Sequence, residues 1–293
     1  MSAKTSAVRG RRPIQRRSPI LTLVVAMLGI YTLLPLAYLV INASKSSSDF
    51  FSTFGLSFGS SFELFNNIGR VFAYDDGVFA RWFGNTLIYV VLGGAGSAII
   101  STLAGYGIAK YAFRGRRALF AVIIGAVAIP GTALALPTFL LFSNLGMTNT
   151  IWAVIIPSLV NPFGLYLTWV YATEAVPDQL LEAARLDGSG EFRTFWSIAL
   201  RLLGPGFVTV LLFSVVATWN NYFLPLIMLT DPKLYPLTVG LAQWNAQSTG
   251  TNAEPIQTLV LTGSLLAVIP LIVVFLLLQR FWQSGLAAGS VKQ

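Results

Sequence analysis

The sequence predicts an all-α membrane protein with six transmembrane helices and one long, patterned cytoplasmic loop between the fourth and fifth. Three observations carry this. Apolar residues make up 55% of the 293 positions and charged residues only 10%, against about 25% charged in an average soluble domain. The apolar residues are gathered into runs of helical length, and a chain in lipid satisfies its backbone polar groups only in helices or a closed barrel. All 19 Lys and Arg and all 11 Asp and Glu fall between those runs.

In chain order the runs are 19–41, 84–109, 118–142, 150–171, 207–230 and 257–279. The first follows Arg9, Arg11, Arg12, Arg16 and Arg17. That basic start is like a signal-peptide n-region, but the apolar run behind it is too long for an h-region, so an uncleaved first span is expected. Sorting the basic residues by connecting segment puts 15 on the N-terminal side of the membrane and 4 on the other. The positive-inside rule then places both termini in the cytoplasm. The expected organisation is a basic cytoplasmic arm at 1–18, a six-helix membrane domain at 19–280 containing the loop 172–206, and a cytoplasmic tail at 281–293.

Within the second span, small residues recur every four positions at Gly93, Ser97, Ser101, Gly105 and Ala109, a stripe that lets another helix approach closely. Pro130, Pro137, Pro157, Pro162, Pro225 and Pro270 lie in the last four spans, each removing a backbone donor and tending to kink its helix. The most polar intramembrane clusters are Trp219, Asn220, Asn221 and Tyr222 in the fifth span and Asn161 beside Pro162 in the fourth. Amides beside aromatic rings suit a neutral hydroxylated ligand. Hydrogen bonding between helices explains the same residues and is favoured as the simpler reading.

The loop is too polar to span and reads as two short helices. Pro177 suits a first helical position, Asp178 and Glu182 lie towards the positive end, and Asp187 with Gly188 supplies a stop. Ser189 is placed to cap a second helix with Glu191 in its first turn and Phe192, Phe195, Ile198, Ala199 and Leu202 on one face. Pro205 is expected to close it. A double helix held by a glycine turn, offering Ala183 and Ala184 for close approach, fits a mechanical contact with a partner. It fits an amphipathic connector on the membrane surface equally well.

Composition removes most enzyme classes. The chain has no Cys and no His, which excludes disulfides, thiolate or imidazole metal sites, and Ser-His or Cys-His nucleophiles. It has no phosphate-cradling loop, the nearest glycine cluster being Gly105 and Gly107 before Lys110. Any ATP that drives it is therefore bound by another subunit. No carboxylate lies within the runs, unlike in many ion-coupled pumps. The net charge of +8 reads as a topology signal, with no nucleic-acid partner implied.

Glu182, Ala183, Ala184, Leu186, Asp187 and Gly188, followed by Phe195, Ile198, Leu200 and Pro205, resemble the EAA motif of ABC importer permeases. The rest of the chain resembles the carbohydrate-type, MalG-like branch of the binding-protein-dependent transport inner-membrane components. Asn85, Thr86 and Leu87 open the second span, Ile129-Pro130 and Leu136-Pro137 fall in the third, and LGMTNT occupies 145–150. Trp219-Asn220-Asn221 with Pro225-Leu226 and the segment GLAAGSVK at 285–292 extend the resemblance to the C-terminal end. At Arg201 the family usually has Pro, so the second loop helix is expected to run further towards Pro205.

The resemblance implies a type I importer permease in the bacterial cytoplasmic membrane, with no cofactor of its own. It implies as partners a second homologous permease, two cytoplasmic ATPase subunits that bind ATP and Mg, an external sugar-binding protein, and membrane lipid. By that analogy 182–188 enters a cleft on the ATPase, while Asn161, Trp219, Asn220, Asn221 and Tyr222 are candidates for the substrate pathway. Rival readings are a permease for a polyol or glycerol phosphate and a stand-alone secondary transporter. An intramembrane enzyme is the weakest, since the spans lack the usual acid, base or nucleophile.

Overall fold

The computed structural model describes residues 18–249 and 255–289, and the described residues form helices joined by short turns. The arginine-rich start lies outside the described residues. Helix α1, Pro19–Ala43, begins with Ser18 accepting the Leu21 amide and Pro19 at the first turn. It is apolar on every side and almost wholly exposed, as a helix facing lipid or another subunit must be. Helices α2, Ser47–Ser52, and α3, Leu64–Ala73, fill the first connection.

Helix α4, Val78–Tyr89, passes through a π-helical turn at Val90–Ala95 into α5, Gly96–Lys110. The second span is thus longer than the expected 84–109, and it carries Lys110 in its last turn. Its small-residue stripe does pack. A β-carbon on Gly93 would lie 2.9 Å from the Ser158 β-carbon, and one on Gly105 would lie 2.7 Å from the Leu165 carbonyl oxygen. Ser97 and Ser101 are buried between them.

The third run does not form one kinked helix. Helix α6, Arg116–Val127, and α7, Gly131–Asn144, meet at 106°. Pro130 caps the start of α7, has no amide hydrogen to continue α6, and biases Ile129 away from helical backbone. Helix α8, Trp152–Leu159, and α9, Pro162–Ala175, make up the fourth run, with Pro162 in the first turn of α9. Pro137, Pro157 and Pro270 lie inside their helices.

Helix α10, Asp178–Leu186, is followed by α11, Glu191–Leu202, whose segment Phe195–Ala199 is π-helical. Three local expectations change here. Pro177 precedes the first helix as its cap. Gly190, not Ser189, stands at the cap of the second, and the Ser189 hydroxyl instead accepts from Thr194 at 3.0 Å. Pro205 does not close α11: it sits in the first turn of α12, Gly204–Trp219, which leaves α11 at 82°. Helix α11 does continue through Arg201 and ends at Leu202.

The fifth run, expected as one span over 207–230 with a kink at Pro225, is interrupted before that proline. Helix α12 ends at Trp219, Asn220 caps it, and a short helix α13, Phe223–Met228, resumes beyond Asn221 and Tyr222. Helix α14, Leu237–Gln247, and α15, Gln257–Gly289, complete the chain, so the predicted tail starts as a continuation of the last helix. Among the described residues, four helices are long and apolar enough to cross a membrane, and up to six if each bent pair is one span.

The main core gathers Phe79, Trp82, Tyr89, Trp219, Met228, Leu237 and Trp244. On the external side predicted from charge, Trp82 donates to the Pro232 carbonyl at 2.9 Å and Asn85 to those of Lys233 and Tyr235. Tyr89 donates to Leu234 and the Leu237 amide to Thr86. Asn149, left-handed at φ 56°, accepts the amides of Thr230 and Asp231. These neutral bonds suture the second span and the 145–150 turn to the segment 228–237.

Candidate functional site

Two places bear on function: the 172–206 loop and a cavity between α7, α8 and α13. In the loop, α10 ends in a full Schellman arrangement. The Gly188 amide donates to the Arg185 carbonyl at 3.0 Å and the Ser189 amide to Ala184 at 2.9 Å, with Gly188 at φ 76°. That geometry requires a residue at ease with positive φ, which glycine is.

The helix has two faces. Leu181 and Ala184 are buried, Leu181 in a second core with Tyr106, Ala172, Val176, Phe195, Ala199 and Leu203. Glu182, Ala183, Leu186, Asp187 and Gly188 are exposed, Leu186 by 89%, and Phe192 on the next helix by 76%. An isolated loop gains nothing by holding a leucine and a phenylalanine in water; an apolar rim around Glu182 and Ala183 is suited to a protein surface. Ala184 does not share that outer face, contrary to the expectation that both alanines offer close approach.

The inner side of the loop is fastened to the C-terminal end of α5 by charge. Lys110 donates to Asp178 at 2.8 Å, with the lysine side chain only 5% exposed. Glu191 accepts from Arg185 Nε at 2.6 Å and, through its other oxygen, from the Tyr111 hydroxyl at 2.7 Å. Arg185 first and Tyr111 second hold the Glu191 carboxyl below its usual range, and Lys110 does the same for Asp178. Tyr111 is pushed up, first by burial and then by its bond to Glu191. The Tyr106 ring meets Phe195 at 5.0 Å and Tyr111 edge-on at 5.9 Å.

The five intramembrane candidates are not gathered on one wall. Asn161 caps α9, accepting the Gly164 amide at 2.8 Å, and donates across to Ser214 at 3.0 Å. Trp219 is buried in the main core against Phe83. Asn220 donates back to the Val216 carbonyl, and Tyr222 is exposed. Asn221 alone of the five lines the cavity, which encloses about 780 Å³. Its other polar walls are Thr132, Thr138 and Ser158, set among Ile129, Leu134, Phe142 and Phe223, with no charged residue in the lining. The threonines and Ser158 escaped the sequence reading because single hydroxyls in apolar runs carry no signal; α7 brings the two threonines to the wall and α8 brings Ser158.

Residues 98–287 match the family of binding-protein-dependent transport system inner membrane components. The arabinooligosaccharides transport system permease protein AraQ of Halalkalibacterium halodurans is 31% identical over 287 residues, covering 95% of this chain and 99% of that protein. The melibiose/raffinose/stachyose import permease protein MelC of Bacillus subtilis is 30% identical over 275 residues, covering 93% and 96%. Among solved structures, a bacterial ABC transporter involved in the import of the acidic polysaccharide alginate superposes with a TM-score of 0.78. It is 22% identical and covers 90% of this chain and 95% of that one; at that identity the likeness speaks for the fold. This chain belongs to the binding-protein-dependent transport system inner membrane component family. It is a multi-pass permease subunit of an ABC importer.

Proposed function

We propose that this permease carries a sugar or oligosaccharide, that it crosses the membrane six times with both termini in the cytoplasm, and that α10 docks on a separate ATPase. The observation that carries the cargo class is the run of sugar-import relatives aligned over more than nine-tenths of the chain. The cavity agrees with it. Hydroxyls and one amide among apolar side chains suit a neutral hydroxylated solute. A glycerol phosphate would call for Arg or Lys facing the path, and none lines this cavity.

In this reading the bent pair α6 and α7 is one crossing and α12 with the short α13 is another, the α11–α12 bend lying where the loop meets the membrane, and 19–280 forms half of a pathway completed by a second permease. Closure of two ATPase subunits on ATP and Mg displaces α10 through its outer face, the residues Glu182, Ala183, Leu186, Asp187 and Gly188. The cavity then turns outward to receive solute from an external binding protein, and hydrolysis resets it. The chain itself supplies no acid, base or nucleophile to these steps.

The test is reconstitution of the complete complex in proteoliposomes with a panel of labelled sugars and polyols. ATP-dependent uptake of an oligosaccharide, abolished by Glu182→Lys together with loss of ATPase association, is the expected result. Uptake by this chain alone, or preference for a phosphorylated polyol, would overturn it.

A further inference from the structure

The covalent joints of the loop are poorly built to pass on a push. At one end α9 reaches α10 through Val176 and Pro177, both extended. At the other, α11 meets α12 at 82° across Leu203. Neither joint continues a helix, so displacement of α10 is absorbed there unless something else braces it. Two non-covalent braces are present: the apolar core holding Leu181 with Tyr106 and Phe195, and polar bonds to a helix far away in sequence, Lys110 to Asp178 and Tyr111 to Glu191 to Arg185. Glu191 grips the last turn of α10 and the end of α5 at once.

From there α5 is a rigid route to the cavity. Gly105 lies against the Leu165 carbonyl of α9, and Gly93 against Ser158, which forms part of the cavity wall. Contacts this close pass on movement, because neither backbone has slack to take it up.

We propose that the second span receives the loop's movement, and that Lys110, Tyr111 and Glu191 are the positioning residues that latch α10 and α11 to it. The latch acts on the same loop as the docking reading above and rests on it. Breaking it leaves the ATPase docked and hydrolysing while less of each stroke reaches the cavity.

The chain has no cysteine, so nitroxide labels at Gln179→Cys and Ala112→Cys report the loop-to-span distance in the complete complex once partner cysteines are replaced. With the latch intact, that distance is expected to stay constant between ATP-free and ATP-trapped states. Tyr111→Phe and Glu191→Gln each remove one bond; both are expected to keep ATPase association, to lower solute moved per ATP by about fivefold or more, and to make the distance depend on nucleotide state. A transport-to-hydrolysis ratio within twofold of the unsubstituted complex in both variants would overturn the proposal. So would a distance that already shifts with ATP when the latch is intact, a measurement that needs neither variant to fold. Glu182→Lys separates the two ideas: if it releases the ATPase while the latch variants couple normally, only the latch fails, and if it changes nothing, the docking reading fails.

Discussion

Two glycines two residues apart on α5 give opposite forecasts for the same substitution. A β-carbon on Gly105 would sit 2.7 Å from both the Leu165 carbonyl oxygen and the Thr168 β-carbon, whereas one on Gly107 meets nothing within 4 Å. Ordinary contact begins near 3.4 Å, so Gly105→Ala must move α5 and α9 apart by about 0.7 Å. Overpacking of that kind costs about 2 kcal/mol, and the gain from replacing a helical glycine offsets about 1. Gly107→Ala keeps the gain without the clash. The two variants should therefore differ by about 2 kcal/mol, or about 6 °C at roughly 3 °C per kcal/mol. Thermal challenge of purified protein in detergent, followed by size-exclusion chromatography, reads this directly. Thr168→Ala should not rescue Gly105→Ala, because the Leu165 carbonyl is backbone. Equal midpoints for the two variants would refute the idea that the small-residue stripe sets the spacing of these helices.

At Gly188 the left-handed backbone alone is at stake, since no atom lies within 4 Å of an added β-carbon; Gly188→Asn should retain most uptake and Gly188→Val, costing about 1–2 kcal/mol, should lose most of it in a transport assay. Asn161→Leu should lower thermal stability by about 1–2 kcal/mol through loss of the α9 cap and the Ser214 bond, while Asn221→Leu should leave stability unchanged and reduce solute flux. The Glu191 carboxyl is held below its ordinary 4.5 by Arg185 and Tyr111, so its contribution is complete above that value and fades as pH falls through the lower, folded one. Hydrogen exchange across 185–202, corrected for intrinsic rates, should thus be level from about pH 5.5 to 8 and quicken only below 4.5.

Local chemistry made part of this molecule legible. The four-residue spacing from Gly93 to Ala109 announced a close helix contact, and Asp187 with Gly188 announced a helix stop, because both depend on neighbours in sequence. Pro130 marked where the third run yields, but a missing donor sets the position of a bend and not its angle, which goes with the packing of α6 on α9 and of α7 on α13. The interruption at 220–222 was hidden because the apolar pattern continues through Phe223 and Leu224. Lys45, one of the four basic residues assigned to the outer side, is buried and donates to the Phe54 carbonyl at 2.9 Å, while Asn67 donates to the carbonyls of Ala43 and Lys45. The Tyr111–Glu191 bond joins residues 80 positions apart, a separation at which pattern says nothing.

The two ends of the second span are held by different chemistry. Trp82, Asn85 and Tyr89 give neutral hydrogen bonds to the carbonyls of 232–235, which ionic strength barely affects. Lys110 and Tyr111 rely on carboxylates, Asp178 being 73% exposed, in a medium that screens charge over about 10 Å at 0.1 M salt. Under the latch proposed above, a rod pinned at one end by neutral bonds and tethered at the other by ionic ones would pivot about the neutral end. If that end faces the cytosol as proposed, salt there would tune the stroke, loosening the tethered end while the other stays fixed.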